Sequence, residues 1–365
     1  MKVLSETASN GNHLRMPVSV RDSARRRRVR GRSRRNPARG TVSAVDPLTL
    51  DELDRQLAHA LQVDGRAPFS RIGQVLGASD RTVARRYHRL RSAGALRVVG
   101  LPHAAAIGRV DWMVRMRCTP DAAVPIAVAL ARRTDTSWVT IMSGGTEINC
   151  ITRTRRQADE GELLLQKLPR TPRITAVSAH CMLRAVAGVG GWPGRTAALT
   201  PEQVEALLPP APDGSAAEVG PADDAFFAAL ARDGRASHPA LAAATGWSET
   251  TVRRRLDALR RAGILYFDVD TRSELFGYTA EAALWLTVAP SALTPVTRAL
   301  ATHPQIAFAA AVTGPASVAA VVICRDLDEL YDYLAEGVGS LQGVLSAETT
   351  PLVRRVKSAG ALLVP

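Results

Sequence analysis

Apolar residues recur along this chain first at helical spacing, then in alternation, and the whole cycle occurs twice. In the first cycle Leu50, Leu53, Leu57 and Leu61 mark one face of a helix. After the break "DGRAPF", "SRIGQVLG" predicts a second short helix, with Ser70 as its cap and Gly77 as its stop. Ser79 then caps a third helix that carries Val83, Tyr87 and Leu90 inward until Gly94 ends it. Two helices joined by the tight "LGAS" turn form a helix-turn-helix. The segments "GALRVV" and, in the second cycle, "GILYFDVD" are expected to supply the small hairpin of a winged version.

Alternation follows. Residues 109 to 186 read strand ("RVDWMVRMRC"), helix ("AAVPIAVALARR"), strand ("SWVTIMS"), turn, strand ("INCITRT"), helix ("DEGELLLQKL") and strand ("ITAVSAHCMLRAV"). Residues 278 to 357 repeat that order from "YTAEAALWLTV" to "VLSAETTPLVRRV". The order βαββαβ is that of a ferredoxin-like sandwich, one antiparallel sheet with two helices on one face. The fold class is therefore α+β.

Sliding the sequence on itself makes the repetition explicit. At an offset of 169, residues 54–96 align without a gap on 223–265, and 18 of the 43 positions are identical. "DGRA" is among them, as are Ser79/Ser248, Arg85-Arg86/Arg254-Arg255 and Leu90-Arg91/Leu259-Arg260. The chain is an internal duplication. We divide it into a basic arm (1–46), a first winged helix-turn-helix (47–100), a first ferredoxin-like domain (101–187), a linker with slack (188–220) and one short helix near 201–208, a second winged helix-turn-helix (221–270) and a second ferredoxin-like domain (271–365).

Charge changes the picture only at one end. The first 40 residues hold twelve Lys or Arg against Glu6 and Asp22, so most of the net +13 belongs to the arm and the body is nearly neutral. The block "RRRRVRGRSRR" repels itself, and residues 1–46 are expected to be disordered, either a phosphate-touching arm or a non-binding extension. No run of about 18 apolar residues suggests a membrane span. The basic start lacks the apolar core of a secretory leader, so a cytoplasmic protein without membrane partners is expected. Cys118, Cys150, Cys181 and Cys324 form no CxxC pair and are expected as reduced thiols. No HExxH, paired histidines or GxSxG occurs, so the motifs require neither metal nor cofactor, and no catalytic residue is assigned.

What remains is the exposed side of each third helix. Ser79, Arg81, Thr82, Arg85, Arg86 and Arg89 in the first copy, with Ser248, Thr250, Thr251, Arg253 and Arg254 in the second, are the candidate contacts to double-stranded DNA. Arginine suits both ionic contact with phosphate and bidentate contact with guanine edges. Asp257 and Ala258 stand where His88 and Arg89 do, which thins the second face.

The stretches "LDELDRQLAHALQVDGRAPFSRIGQVLGASDRTVARRYHRLRSAGALRVVG" and "DDAFFAALARDGRASHPALAAATGWSETTVRRRLDALRRAGILYFDVD" resemble the DNA-binding domain of the Lrp/AsnC (feast/famine) regulators. The resemblance implies a transcription regulator whose ferredoxin-like domains self-associate, as an intrachain pseudo-dimer or a higher oligomer, and take an amino acid or other small effector. The effector turn of that family corresponds here to Gly144, Gly145, Thr146 and Glu147, with Thr313 and Gly314 in the second copy. Both turns depart from the Gly-Asp-like sequence usual there, and the second has no carboxylate. Siroheme decarboxylases resemble the same family, also as fused pairs, and make the alternative reading an enzyme with His103 as a candidate contact. The resemblance implies for them a His-Cys pair before the turn, whereas this chain has "SWVTIMSGG" there and its His180-Cys181 on the last strand. An assembly protein with degenerate heads is a third reading.

Overall fold

The computed structural model describes residues 48–155, 173–188, 192 and 197–359. The basic arm and the helix expected at 159–168 lie outside them.

Each head is built from three helices: α1 (Glu52–Val63), α2 (Phe69–Leu76) and α3 (Asp80–Ser92) in the first. After α4 (Pro120–Ala131) and α5 (Pro201–Leu207), the second head has α6 (Asp224–Arg232), α7 (His238–Thr245) and α8 (Glu249–Arg261). Local chemistry explains the boundaries. Ser79 accepts the Thr82 amide and Ser248 the Thr251 amide, so each third helix starts where the sequence placed its cap. Gly77 and Gly246 end the second helices in the left-handed region, at φ of 66° and 74°, which lets the turn be this tight. Ser70 is not a cap: α2 begins one residue earlier, after Pro68, and Ser70 lies inside the helix.

The expected hairpins do not form within the heads. Each copy supplies one strand, β1 (Leu96–Pro102) and β6 (Leu265–Thr271), and the two pair antiparallel with each other from Leu96↔Thr271 to Pro102↔Leu265. A single strand leaves its backbone groups unpaired, and its twin is the partner within reach. Both heads also share one core, in which Leu57, Leu61, Tyr87 and Leu90 join Phe226, Leu230, Val252 and Leu259.

The linker contributes to that core. Leu207 of α5 is fully buried there, and Leu199, Ala217 and Val219 pack against it. Arg71 donates to the Ala206 carbonyl and Gln203 to that of Val75. The part around α5 is a strap over the first head, and further on the Asp213 amide donates to the Arg261 carbonyl of the second head, so the described linker is not simply slack chain.

The ferredoxin-like units hold β2 (Arg109–Cys118), β3 (Thr136–Met142), β4 (Glu147–Arg155) and β5 (Ile174–Ala187), and then β7 (Ala280–Val288), β8 (Ile306–Val312), β9 (Val318–Cys324) and β10 (Val344–Arg355). Helix α9 (Leu293–Leu300) and helix α10 (Leu327–Asp332), which runs on into a π-helical turn, complete the second unit. The strand order is β10-β3-β4-β2-β5-β8-β9-β7, closed into an eight-stranded barrel. Each unit's last strand pairs with the second strand of the other, β5 with β8 and β10 with β3, through bulged registers. Closure removes the sheet edges, and the interior is filled by Met113, Met142, Trp285, Ala310 and Val312. A pseudo-two-fold axis relates the copies, with an offset of 169 residues in the heads and 170 in the barrel.

Candidate nucleic-acid interface

The third helices bury Val83, Tyr87 and Leu90, and Val252, Leu256 and Leu259. On the other side Arg81 and Arg85 of the first copy, and Thr250, Arg253 and Arg254 of the second, are exposed. The guanidinium groups of the four arginines have no ion-pair or hydrogen-bond partner among the described residues. Ser79 and Ser248 also meet the Thr82 and Thr251 hydroxyls, each at 2.9 Å, which fixes the first turn of each helix.

Arg86 and Arg89 do something else. Arg86 bridges Asp51 and Asp54, at 2.6 and 3.0 Å, and Arg89 also pairs with Asp54, whose side chain is fully buried. Asp51 and Asp54 form the capping box of α1, so this cluster bolts α3 to the start of α1. Burial alone would raise the Asp51 carboxyl, but its bonds to Arg86 and Asp54 hold it below its ordinary value. In the second copy Arg255 makes the same strut to Asp223, at 2.7 Å, and donates to the Glu218 carbonyl. Arg86 is thus committed to the fold, and Arg89 is partly so. The clue in the sequence was the acidic partner 32 residues earlier in each copy.

The "DGRA" motif serves the seam between the heads. Arg66 donates to the carbonyls of Gly234 and Ala236, and Arg235 donates to those of Gly65 and Ala67. Asp64 pairs with Arg260 at 3.1 Å and Asp233 with Arg91 at 2.9 Å. Every bond crosses the pseudo-two-fold. The Arg235 guanidinium lies 4.3 Å from the centre of the Phe69 ring, a cation–π contact. Burial and the nearby Arg235 and Arg260 pull the Arg66 guanidinium down to about 10. Carbonyls and carboxylates offset that cost, and these contacts tie the two heads to each other.

In the turns expected to hold an effector, the polar side chains of Glu147 and Thr313 are bonded within the protein. Glu147 is buried and takes both arms of Arg115 at 3.0 Å, while Arg115 also reaches Glu348 and stacks 4.6 Å from the Trp285 ring. Burial would lower the Arg115 ionisation, but the two carboxylates outweigh it and raise it. Thr146 closes its turn on the Ser143 carbonyl at 2.8 Å, with Gly144 and Gly145 at positive φ. The Thr313 hydroxyl accepts the Cys181 amide at 2.8 Å, and its carbonyl accepts from His180 Nδ1 at 2.8 Å. Gly314, at φ 107°, lies against that imidazole, and a Cβ there would come within 2.7 Å of Nδ1.

His180 and Cys181 point to opposite sides of β5. His180 is buried against Trp285 inside the barrel, whereas Cys181 lines an outer cleft of about 920 Å³ that also contains His103. Burial pushes the Cys150 and Cys324 thiols up to about 12. Among the described residues no group of three or more His, Cys, Asp and Glu is placed to hold a metal ion, and no helix is long and apolar enough to cross a membrane.

This geometry defines a class: a covalent pair of helix-turn-helix heads on a closed double ferredoxin-like barrel. Comparison with known proteins then places it. The AsnC-type helix-turn-helix domain matches residues 50–91 and 227–260, and the Lrp/AsnC ligand binding domain matches 281–362. An uncharacterized HTH-type transcriptional regulator of Pyrococcus abyssi is 30% identical over 131 residues, 36% of this chain and 83% of the relative. The HTH-type transcriptional regulator FL11 of Pyrococcus furiosus is 26% identical over 128 residues, 35% of this chain and 84% of the relative. The chain belongs to the Lrp/AsnC family of helix-turn-helix transcription regulators. Among solved structures, the siroheme decarboxylase NirDL shares the fold over 85% of this chain and 93% of its own, with a TM-score of 0.55 and 13% identity.

Proposed function

We propose that the chain binds DNA as a built-in pseudo-dimer, its two third helices reading unequal half-sites of one imperfect palindrome. The observation that carries this reading is the division of labour along each helix. Arg85 and Arg254 are exposed and uncommitted at the same position of the repeat, directly before the arginines that form the struts. An uncommitted guanidinium can meet a phosphate or a guanine edge without first breaking an ion pair. The clasp between heads holds both helices in one register, which suits half-sites about one helical turn (~34 Å) apart. Residues 1–46, where most of the net charge lies, would add phosphate contacts. An operator selected from random DNA with the purified chain supplies the test. Arg85→Ala with Arg254→Ala should weaken specific binding in a gel shift by about thirtyfold or more, taking one to three kcal/mol per lost base contact. Unchanged affinity would sink the proposal.

A second reading, catalysis on a tetrapyrrole, draws on the fold shared with NirDL and on His103 in the outer cleft. Its weakness is that His180 and Cys181 cannot act together from opposite faces of a strand. A spectral titration of the purified chain with an iron porphyrin tests it: a Soret shift at one equivalent supports the enzyme, and an unshifted band removes it.

A further inference from the structure

The outer cleft lies between the second head and the barrel. Phe227 and Ala228 of α6 form one wall, and Trp138, Cys181 and Leu183 of the barrel form the other. His103, stacked on Tyr266 with ring centres 4.5 Å apart, also lines it. Two of the lining arginines are already neutralised. Arg153 is held by Asp111 at 2.7 and 2.9 Å, and Arg109 by Asp224 at 3.0 Å. Arg184 is different: it lines the cleft, is exposed and has no ion-pair or hydrogen-bond partner among the described residues. The walls are otherwise largely apolar and aromatic.

The pseudo-two-fold generates a twin of this cleft beside the first head, and the chain fills that twin itself. Trp192 is 4% exposed there. Its indole Nε1 donates to the Pro304 carbonyl at 2.7 Å, and its ring meets Tyr278 edge-on at 5.1 Å. Pro304 is the counterpart of Thr134, which lines the open cleft. Further along the same segment, the amides of Ala198 and Leu199 donate to His59 Nδ1, at 3.3 and 3.1 Å. His59 is the counterpart of Ala228 on the open cleft's head wall. The linker therefore touches both walls of the twin, with the Trp192 indole seated against the barrel side and the Ala198 and Leu199 amides on the head wall. Two equal subunits would have two open clefts, and the fused chain retains one.

We infer that the open cleft binds one planar aromatic carboxylate per chain. The twin shows the body that fits, a bicyclic aromatic ring donating to the Pro304 carbonyl, the position that Thr134 holds in the open cleft. Arg184, the uncommitted cation, sets the charge: one carboxylate, where a polycarboxylate would meet arginines that are already paired. A ligand there touches α6 and the barrel together, so its occupancy is felt by the second head. This goes beyond the proposed DNA binding, and it is measured without DNA.

The test is calorimetric titration of the full chain with indole-3-propionate, and with indole as the probe lacking a carboxylate. Indole-3-propionate should bind at one equivalent per chain. Arg184→Ala, a change at an exposed position, should weaken it about tenfold and leave indole unchanged. Ala228→Trp, which fills the cleft as Trp192 fills its twin, should abolish both. Trp192→Ala should raise the stoichiometry toward two. No binding of either probe at millimolar concentration overturns the inference, as does an affinity indifferent to Arg184→Ala. Binding that appears only after residues 360–365 are removed also overturns it, giving the cleft to the chain's own end. The gel shift with Arg85→Ala is unaffected by any of these outcomes, so the two proposals fail separately.

Discussion

Helices α3 and α8 bury the same three positions and are bolted to the first helix of their heads by the same arginine, yet their exposed faces differ. Arg81 in the first copy faces Thr250 in the second, Ala84 faces Arg253, and His88-Arg89 faces Asp257-Ala258. The second exposed arginine has moved from the first turn of the helix to the second turn. The residues common to both copies include those that hold each head together and clasp it to its twin, while much of what differs meets solvent. A duplicated chain is free to diverge where no intramolecular partner constrains it, and here that freedom falls on the surface proposed to read DNA.

The clasp is the place to break this comparison most severely. Arg235→Ala would strand the Gly65 and Ala67 carbonyls at the seam and remove the cation from Phe69, lowering stability in urea unfolding by about 2–3 kcal/mol. Arg66→Ala should cost less, because its ring contact, to Phe267 at 5.9 Å, is longer. Equal losses would mean that the stacking adds nothing.

The struts sharpen the comparison further. Asp54 is held by two arginines and buried Asp223 by Arg255 as its one ion-pair partner among the described residues. Removing the cation from a buried carboxylate is strongly destabilising. Arg255→Ala should therefore cost more than Arg86→Ala, about 2 kcal/mol against about 1, since Arg89 remains on Asp54. The reverse order in thermal melts would show that Arg89 does not share the load.

Acid acts on the strap. Burial keeps His59 below its ordinary pKa, and its Nδ1 accepts two backbone amides, which a protonated ring cannot do. The unfolded chain takes up the proton first, so this contribution is complete above about pH 6.5 and is lost as pH falls through the depressed folded value. Stability measured from pH 7.5 down to 5 should decline, and more shallowly in His59→Gln. Burial also lowers His103 and His303, so the decline should flatten without vanishing.

The smallest effect expected is a transplant. Giving the second helix the first one's charge, with Asp257→His and Ala258→Arg, should steepen the salt dependence of DNA binding by about one unit of slope for one added phosphate contact. A slope that does not move would place these positions outside the interface.

The sequence by itself determined the duplication, the helix caps at Ser79 and Ser248, the stops at Gly77, Gly94 and their counterparts, and nearly every strand of the barrel. These follow from local periodicity and from side chains that bond their own neighbours. It also placed Arg85 and Arg254 on the exposed side, because a buried stripe at helical spacing leaves them facing away from the core. Only the tertiary structure decided that β1 and β6 pair across the copies, that Arg86 is spent on Asp51 and Asp54 and Arg89 partly on Asp54, and that Glu147 is held by Arg115. It also decided that the linker fills one cleft of two. Each of these is a contact between residues far apart in the chain, and an arginine committed to a distant carboxylate looks, in the sequence, the same as one waiting for a phosphate.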